Sequence, residues 1–125
     1  MPLFKKNSSV NELTPADFNG KQIKNPVLKN KKGLILFAAD WCHFCKDFSP
    51  IYEKVSDSLG QSFPLFFFDC EKYGDFASKK FNVSGFPTVM YIDRNGIPYK
   101  KYTGDRIESS IISDICKEAQ VCKRM

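Results

Sequence analysis

The chain has 125 residues and a net charge of +5, enough for one domain with a real core. Only three of its 19 basic residues are Arg, and the Lys-Lys pairs at 5–6, 31–32, 79–80 and 100–101 are scattered. That pattern reads as solvated surface and excludes a basic nucleic-acid-binding stripe. No apolar run nears the ~20 residues that cross a bilayer, and the polar stretch after Lys5 and Lys6 predicts no secretory signal peptide here, with a processed mature chain as the alternative.

In chain order, residues 1–9 read as a loose tail ahead of one domain over 10–122. Val10 to Thr14 predicts a short edge strand, ended by Pro15, and Pro15 to Phe18 opens a short helix. Gly20 to Lys32 is polar, with a turn and a half-helix around Val27 and Leu28. Leu34 to Ala38 is a continuous apolar strand of the kind covered on both faces. A long helix follows from Cys42 to Leu59, ending at Gly60. Its apolar face is Phe44, Phe48, Ile51, Tyr52, Val55 and Leu59, and Pro50 lies inside it. Ser62 to Asp69 is the next strand and Tyr73 to Phe81 the next helix. Thr88 to Asp93 and Ile97 to Thr103 pair through a turn at Asp93-Arg94-Asn95-Gly96. Arg106 to Cys122 is the last helix, with Ile107, Ile111, Ile115 and Ala119 on one side. Alternating strands and helices, closed by a hairpin, predict a mixed sheet between helices: an α/β fold.

The chemistry is concentrated in Trp41-Cys42-His43-Phe44-Cys45-Lys46, where a strand gives way to a helix. A thiol at a helix N-terminus faces unpaired N–H groups, which favours the thiolate. Cys42 is therefore the expected nucleophile. Cys45, one turn on, closes a Cys42–Cys45 disulfide or resolves a mixed one. A zinc site would need a second close Cys/His pair, which is absent, so no metal is expected. His43, the single histidine, can stabilise a neighbouring thiolate when protonated. Five cysteines cannot all pair within one chain, and Cys70, Cys116 and Cys122 read as reduced and mostly buried. The ending Cys122-Lys123-Arg124-Met125 lacks the aliphatic pair of a prenylation box.

With these motifs the chain resembles the thioredoxin superfamily, and within it the catalytic domains of protein disulfide isomerases. The residues that carry the resemblance are Trp41 to Lys46, Pro50 five positions beyond the second cysteine, Gly85-Phe86-Pro87-Thr88, and Tyr102-Thr103-Gly104-Asp105-Arg106. The resemblance implies a thioredoxin fold, with a mixed central sheet flanked by helices. It implies a thiol–disulfide oxidoreductase acting on protein cysteines, with no cofactor. Pro87 is then cis and its loop lies against the dithiol, where the Phe86 backbone pairs with an extended substrate. Trp41, Phe44 and Phe86 form an apolar collar for substrate polypeptide. Arg106 takes the place of the arginine that lowers the pKa of the second cysteine.

Two departures stand out. The buried acid that the family carries six residues before the first cysteine is Leu36 here. The residues between the cysteines are His43-Phe44, not the Gly-His of the isomerases or the Gly-Pro of thioredoxins. A non-catalytic thioredoxin-fold module that binds an extended partner, and a redox protein dedicated to one client, are the alternatives. The partners expected are protein thiols and disulfides, with no nucleic acid and no membrane. The chain is expected to be monomeric and cytoplasmic, or alternatively packaged in a virion.

Overall fold

The computed structural model describes residues 2–122. Met1 of the tail, and Lys123 to Met125 of the terminal tetrapeptide, lie outside the described residues. The main sheet has the order β1-β5-β4-β6-β7. Its strands are β1 (Asn11–Leu13), β4 (Gly33–Ala38), β5 (Leu65–Asp69), β6 (Thr88–Ile92) and β7 (Pro98–Lys101). β1 and β4 run parallel to β5 on either side of it, whereas β6 is antiparallel to both β4 and β7. A second small sheet pairs β2 (Phe18–Asn19) with β3 (Gln22–Ile23). The helices are α1 (His43–Leu59), α2 (Cys70–Phe81) and α3 (Glu108–Ala119).

Alternation along the strands divides the core in two. Leu34, Leu36, Leu65, Phe67, Val89 and Tyr91 face α1 and α3. Ile35, Phe37, Phe66, Phe68, Met90 and Ile92 face α2 and the small sheet. β4 is therefore buried along its whole length, as its unbroken apolar run required. On the second face Phe68 packs edge-on against Phe18 and close to parallel with Phe76.

Several boundaries differ from expectation. Residues 15–17 form a single 3-10 turn, capped reciprocally by Thr14 and Asp17, and Phe18 already begins β2. The half-helix at Val27 and Leu28 is a turn. Asn25 Oδ1 accepts from the Val27 N–H, and Lys29 and Asn30 adopt positive φ (40° and 63°), which stops a helix there. Gly60–Ser62 is a 3-10 turn, so β5 starts only at Leu65. α2 starts early, at Cys70, because the Asp69 carboxylate accepts from the Glu71 N–H at 3.0 Å. α3 starts at Glu108 and ends at Ala119, three residues short of Cys122, where Gln120 turns left-handed (φ 57°).

Within the N-terminal segment, two described residues, Phe4 and Ser9, reach α1 and β5. Phe4 packs on Phe67 and Tyr52, with ring centroids at 5.1 and 6.1 Å. Ser9 Oγ lies 2.6 Å from Asp57 Oδ1 and 2.9 Å from Ser56 Oγ.

Candidate active site

β4 delivers the chain to the C-terminal edge of the sheet, where Trp41 and Cys42 lead into α1. Cys42 is the N-cap of that helix, not its first residue. Its N–H donates to Ala39 O, and its carbonyl accepts the first helical bond from Lys46. Its Sγ accepts from the Cys45 N–H at 3.3 Å, so a sulfur occupies the place usually filled by a capping oxygen. The same thiol donates to Phe86 O at 3.7 Å. The Phe86–Pro87 peptide is cis. Both cysteines are free thiols in this structure.

Cys45 is fully buried. Burial, reinforced by the hydrogen bond to Cys42, pushes its thiol up to about 12. The backbone at Ala39 and the positive charge of Arg106 pull the other way without cancelling that rise. Arg106 is exposed in the segment between β7 and α3, and with Pro87, Thr88 and Tyr102 it lines a cavity of about 170 Å³. Leu36 lies in the same core cluster as Cys42 and Cys45 and is fully buried, so the site of the family's acid holds an aliphatic group.

Trp41 is 62% exposed and meets Phe86 edge-on at 5.7 Å. Phe44 is 64% exposed at the start of α1, off the buried face where its spacing put it. The His43 imidazole meets the Asp47 carboxylate at 3.3 Å, one turn along α1. The structure thus brings Trp41, Cys42, Cys45, Phe86 and Pro87 together. It directs His43 toward Asp47, a partner the hexapeptide did not suggest.

Two further neighbours adjoin the site: Cys70 is free and buried, as its sequence reading expected, whereas the Asp40–Glu71 pair escaped that reading. Cys70, at the start of α2, is buried and also pushed up to about 12, by burial first and then by Asp69. Cys45 is close enough to act on it. Asp40, just before Trp41, shares a hydrogen bond with Glu71 that raises the Glu71 carboxyl above its ordinary range. Asp40 and Glu71 are 31 positions apart, and only the pairing of β4 with β5 brings them together.

Pro50 cannot donate to Lys46 O, the acceptor four residues back. Ser49 Oγ donates to that carbonyl instead, at 3.2 Å. Farther along α1, the buried Tyr52 hydroxyl donates to Phe66 O at 2.6 Å and lies 3.3 Å from Leu34 O. Among the described residues no helix is long and apolar enough to cross a membrane, and no cluster of three or more His, Cys, Asp or Glu side chains could hold a metal ion.

A mixed sheet between helices, with a dithiol at a helix N-terminus facing a cis-proline, defines a thioredoxin-fold domain. The thioredoxin family model matches residues 9–117, and the chain belongs to that family. It is 36% identical over 112 residues to protein disulfide-isomerase A3 of Gallus gallus, covering 90% of this chain and 21% of that protein. It is 31% identical over 124 residues to the protein disulfide-isomerase tigA of Aspergillus niger, covering 94% and 32%. The first thioredoxin domain of mouse protein disulfide-isomerase A4 superposes with a TM-score of 0.73 at 29% identity, covering 93% of this chain and 79% of that one. The chain spans a fifth to a third of the length of these two curated relatives.

Proposed function

We propose that the chain is a thiol–disulfide oxidoreductase acting on cysteines of polypeptide substrates through Cys42 and Cys45, as in protein disulfide isomerases. The supporting observation is the position of Cys42 Sγ, 3.3 Å from the Cys45 N–H and 3.7 Å from Phe86 O, beside exposed aromatic rings. The Cys42 thiolate attacks a substrate disulfide, and one substrate sulfur leaves as a thiol. A mixed disulfide remains. Cys45 then attacks Cys42 Sγ, releases the second substrate thiol and closes the Cys42–Cys45 bond. In the oxidising direction the same steps run backwards. Phe86 O offers an extended substrate a backbone acceptor beside the sulfur, and Trp41 and Phe44 supply apolar contact.

The test is insulin reduction and the refolding of a scrambled disulfide protein. Cys42→Ser abolishes both activities. Cys45→Ser accumulates a mixed disulfide that can be isolated by mass. If the Cys42→Ser, Cys45→Ser double variant keeps full function in its host, the exposed aromatics serve a binding module and the exchange reading fails.

A further inference from the structure

Cys116 and Cys122 form a disulfide, contrary to the expectation that both are reduced. On one continuous helix, residues six apart point to different faces. Here α3 stops at Ala119 and Gln120 turns the chain back, so the two Cα atoms lie 4.5 Å apart, within the range of a disulfide.

The bridge is accessible. Cys122 is exposed and Cys116 half-buried, and both line an open groove of about 680 Å³ with Ile112, Ser113 and Lys117. It is also remote from Cys42. Lys32 Nζ donates to Ala119 O at 3.3 Å, which anchors the end of α3 beside the start of β4. Cys42 lies beyond the other end of that strand, and six residues of β-strand span ~20 Å. One chain therefore cannot pass electrons directly between the two pairs.

We propose that Cys116–Cys122 is a second thiol–disulfide exchange site, opened by an external dithiol that attacks Cys122 Sγ. The dithiol is a small molecule or a protein. Its thiolate bonds to Cys122 Sγ, the Cys116–Cys122 bond breaks, and Cys116 leaves as a thiolate that takes a proton. Lys117, on the same groove, favours that leaving thiolate. The second thiol of the reductant then displaces Cys122. The reductant ends as a disulfide and the chain gains two thiols, a transfer of two electrons and two protons. The chain thus carries two independent redox pairs.

The reduction and mapping arm uses the Cys42→Ser, Cys45→Ser full chain, so its outcome does not depend on the function proposed for that pair. Oxidised native protein is treated with dithiothreitol, or with reduced glutathione, and free cysteines are alkylated and mapped by mass. Dithiothreitol should open the bridge in the folded chain. The glutathione adduct should fall on Cys122 roughly tenfold more often than on Cys116, because attack selects the accessible sulfur. In a wild-type titration against graded thiol/disulfide buffer, two two-electron transitions are expected. C116S/C122S should remove one of them and keep the other. Resistance to dithiothreitol until denaturant is added would show a purely structural bridge. Alkylation of Cys116 and Cys122 in oxidised, untreated protein would show that they do not pair. A glutathione adduct mainly on Cys116 would overturn the assigned point of attack.

Discussion

At the residue scale, Leu36 and Cys45 set the difficulty of the second half-reaction in the exchange proposed above. Cys45 must lose a proton before it attacks, and burial holds its thiol up to about 12. Burial persists when Cys42 is tied up in a mixed disulfide, and Leu36 offers no proton acceptor. Leu36→Glu should therefore speed release of substrate from the mixed disulfide, roughly 100-fold where the new carboxylate is placed as a general base. Stability should drop by a few kcal/mol for the buried carboxyl. Single-turnover quenching reads the rate, and an unchanged rate would show that the proton already has another route. The Cys-x-x-Cys spacing and Pro87 were legible because each belongs to a short, local pattern. His43 and Asp47 stand at helical i,i+4 spacing, but Asp47 lies one residue outside the hexapeptide and the pairing was not read from it. The electrostatic reach of Cys45 to Cys70, and the pairing of Asp40 with Glu71, were not legible, because tertiary packing creates them.

At the element scale, α1 shows how a long helix accommodates a proline. The carbonyl that Pro50 leaves free is taken by Ser49, which is largely buried. Ser49→Ala leaves that acceptor without its donor and should cost ~1 kcal/mol. The denaturant midpoint should fall with an unchanged slope; an unchanged midpoint would mean that Lys46 O finds water. The helix itself, β4 and the β6–β7 hairpin were readable from periodicity and from the Asp93–Gly96 turn. In that turn Asp93 Oδ1 accepts from both Asn95 and Ile97. β2 and β3 were not readable, since two residues a strand carry no period. The end of α3 was missed for a different reason: its break rests on left-handed backbone at Gln120, a residue with no turn signature.

At the scale of the whole molecule, the core holds several weak acids in their neutral forms. Cys45 and Cys70, ordinarily near 9.0, and Tyr91, ordinarily near 10.0, are each raised to about 12, chiefly by burial. Above pH 9 the unfolded chain loses these protons while the folded chain keeps them. The unfolded state then binds fewer protons, so stability falls with rising pH. The contribution is complete below pH 9 and is lost progressively by pH 12. Urea midpoints should hold level from neutral pH to pH 9 and then decline. Cys70→Ala should decline less steeply over that window, and a parallel decline would remove Cys70 from the alkaline response.

The hydroxyl of Tyr52 reaches two carbonyls on neighbouring central strands, Phe66 O on β5 and Leu34 O on β4. It acts as a dowel between helix and sheet, ten residues and so ~15 Å along the axis from Cys42. Cys42, the proposed nucleophile, caps α1, whereas Pro87 immediately precedes β6. Their alignment is thus inherited from a joint far from either. Tyr52→Phe would keep the ring and remove the dowel, leaving the sulfur chemically intact and mechanically unindexed. Exchange should slow with no change in any group at the reacting centre, and a rate equal to wild type would place the indexing elsewhere.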